Sequence, residues 1–170
     1  MNTSPPPLTV DCYARAASLG PPVDGTLETL REYHRRGVID ELTVRVWPEE
    51  VVLTDYTEET PLVAQYRRFR TWAERTGVSL CPGFTVRERA SLVDERTTTV
   101  LVPPVLCLAI HVDGELSEVA PHRTDTATYT VEDALAGLGA LDRAPPDRPL
   151  TADPPTEAPT PPTSTPGPGE

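Results

Sequence analysis

The chain contains no lysine: all 15 of its basic residues are arginine. A Schiff-base lysine and a GxxxxGKS/T phosphate loop are thereby excluded. No GxGxxG dinucleotide loop is present, and no GxSxG nucleophile elbow. Cysteine is sparse, with Cys12, Cys81 and Cys107 only. An odd number without CxxC spacing argues against a disulfide framework. Long apolar runs are also missing. The longest candidate, Val100 to Val112, is interrupted by Pro103, Pro104 and His111 and is too short to span a bilayer. The first residues, Met1 to Pro7, carry neither a basic nor an apolar segment of the signal-peptide kind. No internal repeat is found. These absences point to a cytoplasmic protein without a membrane partner.

Acid is abundant. Formal net charge is −11 and the sequence pI about 4.7. Such a balance favours solubility and works against non-specific attraction to phosphate backbones. Excess carboxylate together with missing lysine fits a salt-rich cytoplasm, where a Debye length of roughly 3 Å mutes the self-repulsion.

Local patterning predicts a mixed α/β domain. Leu8 to Ala14 reads as a first strand. Gly20 to Gly25 reads as a turn, and Thr26 as the N-cap of a first helix that carries Leu27, Leu30 and His34. That helix closes on Arg35, Arg36 and Gly37. Glu41 to Trp47 alternates as a strand, with Leu42, Val44 and Val46 on one face. Val51 to Leu53 returns as a short hairpin arm. Strand, helix and strand in succession suggest a βαβ unit. Thr60-Pro61 opens the strongest helix, with Leu62, Tyr66, Phe69 and Ala73 as its apolar stripe, and Gly77 ends it. Strands follow at Phe84–Arg89 and Thr97–Val102, across a polar turn at Asp94-Glu95. Val105 to Val112 reads as a strand buried on both faces. Asp113-Gly114 turns it into a return arm at Glu115–Ala120. Thr130 caps a last helix bearing Ala134, Leu135, Leu138 and Leu141. The expected order is β-α-β-α-β-β-β-α, with helices packed on one mixed sheet of about five strands. The expected boundaries are a flexible lead at 1–7, one domain at 8–143, and a disordered Pro/Thr-rich acidic tail at 144–170. The tail is too poor in apolar residues to offset its ordering entropy.

Chemistry-bearing residues are few. His34, His111, His122 and the cysteines show no metal-ligand spacing, although His111, Asp113 and His122 belong to one hairpin region. Cys81 precedes a turn, and nothing in the sequence sets a base beside it. No catalytic constellation and no cofactor are expected. What remains is arginine. Arg35 and Arg36 end the first helix; Arg67, Arg68, Arg70 and Arg75 line the second, interleaved with Tyr66 and Trp72. A basic helical face suits phosphates. Equally, arginines crowd the end of a helix because its macrodipole prefers them there.

Four blocks carry a resemblance: Arg70 to Leu80, Leu101 to Ala109, Asp113 to Leu116, and Tyr129 to Leu135. They look like an uncharacterised family of halophilic archaea labelled helix-turn-helix domain proteins. The resemblance covers roughly residues 8–142. It implies a salt-rich cytoplasm and a transcriptional role, with DNA or a transcription-related protein as partner. A helix-turn-helix needs two helices joined by a turn of a few residues, whereas the residues after Gly37 are strand-like. Two further readings stand beside this one. The chain is a protein- or small-ligand-binding module with a flexible tail, or an enzyme using Cys81 or His111.

Overall fold

The computed structural model describes residues 4–18, 20–54, 60–93 and 96–143. The fold is mixed α+β, as its sequence pattern implies. β1 (Leu8–Arg15) leads through α1 (Pro21–Arg35) to β2 (Glu41–Trp47), which lies parallel to β1. Between the parallel strands runs the helical crossover that such a pair requires. β6 (Leu106–Val112) pairs antiparallel with β1, and β7 (Glu115–Ala120) pairs antiparallel with β6. The resulting four-stranded sheet has the order β2-β1-β6-β7. Asp113 at φ 54° and Gly114 at φ 78° form the β6–β7 turn, the left-handed pair that a two-residue hairpin demands.

β1 and β6 feed two interiors by alternation. Val10, Cys12, Ala14, Leu108 and Ile110 face α1 and α3 (Val131–Arg143). Tyr13, Cys107 and Ala109 face α2 (Pro61–Thr76) on the other side. Both strands are thus covered on both faces, which is why β6 reads as a continuous apolar run. Phe69, Leu30, Leu101 and Leu108 are wholly buried. Burial of such a side chain contributes about 1.5–3 kcal/mol.

A second, three-stranded sheet, order β3-β5-β4, closes the α2 side. It comprises β3 (Val51–Val52), β4 (Thr85–Ala90) and β5 (Thr97–Val102), which ends where Pro103-Pro104 can no longer donate. β8 (His122–Arg123) and β9 (Thr128–Tyr129) form a small hairpin ahead of α3.

Several expectations change in detail. The strands divide between separate sheets because β3 pairs with β5 instead of folding back on β2. α1 begins at Pro21, not after Thr26. Two prolines in the first turn cost nothing there, since those N–H groups have no intrahelical partner. Thr26 is buried inside the helix, and its hydroxyl donates to the Pro22 carbonyl at 3.3 Å. On β2 the face carrying Leu42, Val44 and Val46 is covered only at Leu42; Val44 is 41% exposed and Val46 58%. The Asp94-Glu95 turn and the 144–170 tail lie outside the described residues.

Candidate nucleic-acid interface

α2 is built as its sequence dictates. The Thr60 hydroxyl accepts from the Val63 amide at 3.4 Å, Pro61 fills the first turn, and Gly77 leaves the helix at φ 73°. Leu62, Val63, Phe69, Trp72 and Ala73 form the buried stripe. Beneath it Tyr13 stacks on Trp47 at 4.3 Å and meets Phe69 edge-on at 6.0 Å. The Trp72 indole N–H donates to the Ser117 carbonyl of β7 at 3.1 Å, fixing the helix against the sheet.

That placement leaves a groove between the second half of α2 and the β6–β7 turn. Arg68, Thr71, Trp72 and Arg75 form one wall; Gly114, Glu115 and Leu116 form the other, around roughly 350 Å³. Arg68 and Arg75 stand two helical turns apart, so both guanidinium groups reach the same side of the helix. Neither takes part in an ion pair among the described residues. Arg68 also influences the Tyr13 hydroxyl. Burial pushes that phenol up to about 12 and Asp11 adds to the rise, while Arg45 and Arg68 oppose it.

The other arginines singled out by sequence have different surroundings. Arg70 pairs with Glu74 at 3.2 Å, one turn on. Arg67 is exposed, and its carbonyl accepts the Thr71 hydroxyl at 3.1 Å. Arg35 pairs with Glu28 at 3.0 Å and Glu32 at 2.8 Å. Arg36 pairs with Asp142, tying α1 to α3. α1 and α2 cover opposite faces of the sheet. The six arginines therefore form no single patch: Arg68 and Arg75 share a groove, and Arg35 and Arg36 serve carboxylates on the far side.

The remaining chemical candidates do not meet. His111 Nδ1 lies 3.9 Å from Asp11 Oδ2 and is buried without a hydrogen bond. His122 Nδ1 contacts the Val119 carbonyl at 2.7 Å, and its ring stacks on Tyr129 at 4.8 Å. Cys81 is exposed, whereas Cys12 and Cys107 are buried. Burial pushes the Cys12 thiol up to about 12 and raises that of Cys107 as well. Among the described residues no group of three His, Cys, Asp or Glu side chains is placed to hold a metal ion. No described helix is long and apolar enough to cross a membrane.

With this geometry in view, the chain can be placed in a class. It belongs to a helix-turn-helix domain family, whose sequence profile matches residues 2–143. No curated protein and no solved structure matches it significantly. Among the described residues no two α-helices are joined by a short turn: a single 3-10 turn at Ala16–Ser18 precedes α1, β2 follows α1, and β4 follows α2. Sequence reasoning marked the arginines individually. It missed the groove, because the opposite wall comes from a hairpin some forty residues away, a spacing typified by the Trp72–Ser117 separation of 45.

Proposed function

We propose that this chain is a non-enzymatic regulatory protein of a salt-adapted cytoplasm, and that it contacts DNA through the groove beside α2. The supporting observation is the pair Arg68 and Arg75, without a carboxylate partner among the described residues, on either side of the Thr71 hydroxyl. Two guanidinium groups along one helix face are backbone-contacting chemistry: they hold phosphates in register and carry no base code, while the Thr71 hydroxyl between them donates to the Arg67 carbonyl. Family membership supports the same reading. Glu115 across the groove works against it locally, as does the overall charge of −11. Binding should accordingly be weak and readily tuned by charge.

Fluorescence anisotropy with duplex DNA over a salt series tests this. The parent protein should bind, with log affinity falling linearly in log salt. Arg68→Ala and Arg75→Ala should each weaken binding and lower that slope by about 0.9 for every phosphate no longer neutralised. Glu115→Gln should strengthen binding. Arg35→Ala, on the opposite face, should change little. Absence of binding, or equal effects from Arg35 and Arg68, rejects the reading.

A second reading, a small-ligand-binding module, draws on a pocket of about 290 Å³ where α1 and α3 begin. Pro22, Val23, Val105, Leu106, Pro121 and Val131 make its wall mainly apolar. A melting-temperature screen against small uncharged apolar molecules, chosen because Glu132 is the one charged residue of the lining, separates the two readings. A shift abolished by Val105→Trp, at an exposed residue of the pocket wall, favours the pocket, and no shift leaves the groove.

A further inference from the structure

The outer edge of β2 is unpaired among the described residues, since β2 ends its sheet and bonds only to β1. An open edge strand is a template for another strand. On one face this edge presents Glu41, Thr43 and Arg45; on the other, Leu42, Val44 and Val46. Glu41 and Arg45 are both exposed, and neither joins an ion pair among the described residues. Val44 and Val46 are largely in water, 41% and 58% exposed.

The order of these residues is self-complementary. In a symmetric antiparallel pair, directly opposed residues share a face. With the two-fold axis on Thr43, Glu41 of one copy stands opposite Arg45 of the other, twice per dimer. Leu42 stands opposite Val44, also twice, so that apolar surface now wet is covered. Centring on Leu42 or Val44 sets Glu41 opposite Thr43 or Trp47, and centring on Arg45 opposes two guanidinium groups. Thr43 alone pairs every charge at the middle of the strand with its opposite.

The other long edges lack this property. β7 carries Glu115 and Glu118 without a basic residue, and its Ser117 carbonyl is already taken by Trp72. On β4, Arg87 and Arg89 are both held by Glu50, at 3.3 and 3.1 Å. We infer that a second copy of this chain is the partner of the β2 edge, joined antiparallel in the Thr43-centred register to make one continuous eight-stranded sheet. The inference is independent of the DNA reading, because none of its central residues lines the α2 groove.

Sedimentation of the full chain over a concentration series, at moderate salt, supplies the first test. A reversible dimer is expected. Arg45→Glu and Glu41→Arg should each raise the dissociation constant at least about tenfold by opposing like charges. The double swap, Glu41→Arg with Arg45→Glu, should restore it. Both side chains are exposed, so melting temperatures equal to the parent's at concentrations below the dissociation constant would show that the monomers still fold.

Register is read separately by Thr43→Cys in a Cys81→Ser background. Opposed Cα atoms in an antiparallel pair lie about 4.5–5.5 Å apart, within disulfide reach. Mild oxidation should cross-link this variant and leave Val46→Cys uncrosslinked. A monomer up to the order of 100 µM overturns the proposal, whether the edge is left empty or is covered by the chain's own tail. A dimer indifferent to both single reversals, or one cross-linked at Val46 and not at Thr43, overturns it equally.

Discussion

The indole N–H of Trp72 donates to the carbonyl of Ser117 at 3.1 Å, joining the middle of α2 to the edge strand β7. Trp72 is buried, so this bond sets the tilt of the helix that carries Arg68 and Arg75. Trp72→Phe keeps most of the packing and removes the donor. Thermal or urea unfolding should show a loss of about 1 kcal/mol from the bond, with more from the smaller ring. DNA affinity should fall further than stability alone explains. An affinity unchanged beside a lowered melting temperature would mean that the groove does not depend on this anchor.

Gly139 of α3 faces the Tyr33 hydroxyl of α1, and a Cβ built there would lie 2.6 Å from that oxygen. In an open helix Gly→Ala stabilises by about 1 kcal/mol. Here the sign reverses. Gly139→Ala must push Tyr33 aside and break its hydrogen bond to the Leu135 carbonyl, now 3.3 Å. A loss of about 1–3 kcal/mol is expected from such overpacking. Adding Tyr33→Phe removes the clashing oxygen and should recover part of the loss in a double-mutant cycle.

Thr130 and Asp133 cap α3 reciprocally. The Asp133 carboxylate accepts the Thr130 amide and hydroxyl, both at 2.8 Å, and the Thr130 hydroxyl accepts the Asp133 amide at 3.2 Å. Thr130→Ala should cost about 1 kcal/mol. Those two Thr130 hydrogen bonds, amide first, hold the Asp133 carboxyl below its ordinary 3.8. The unfolded chain therefore takes up this proton before the folded one does. The stabilisation is complete above the ordinary value and fades as pH drops through the lowered one. Asp133→Asn should be less stable than the parent near neutrality, with the gap closing in acid. A constant gap in a pH series of melting curves would contradict the linkage.

Tyr13 works at the opposite end of the pH scale. Burial, then Asp11, lifts its phenol from 10.0 to about 12. The folded protein keeps this proton where the unfolded chain has lost it. The contribution is full below pH 10 and disappears as pH climbs through about 12. Tyr13→Phe should be markedly more resistant to alkaline unfolding while differing little at neutral pH. Phenolate absorbance of the parent should show more than one tyrosine titrating late, since burial also raises Tyr66 and Tyr129, and Tyr13→Phe should remove one of them from the late phase.

Local rules carried much of this architecture. Thr60-Pro61 and Gly77 marked both ends of α2, and Asp113-Gly114 marked the β6–β7 turn, because caps and tight turns are decided by a few adjacent residues. The start of α1 was misjudged for the same local reason. Gly20-Pro21-Pro22 resembles a turn until one sees that prolines suit the first turn of a helix. Partition of the strands between two sheets was not legible, since Val51-Val52 finds its partner in Val100-Leu101, far along the chain. The β8–β9 hairpin, two residues per arm, is too short to show a period. At the candidate interface, the sequence identified the arginines but not their faces. Arg35 has Glu28 and Glu32 at helical spacing on its own helix, whereas the groove beside Arg68 exists only because the β6–β7 turn is brought alongside α2.

The alternation along β1 and β6 has a consequence for change in this family. Cys12 serves one interior and Tyr13 the other, so inserting or deleting a single residue would deliver a phenol to a space shaped for a thiol. Only a β-bulge, such as the register shift at Ile110/His111 in the β6–β7 pair, would restore the alternation. The lengths of these two strands are thus the least adjustable dimension of the chain, and length variation among its kin should gather in the connecting loops.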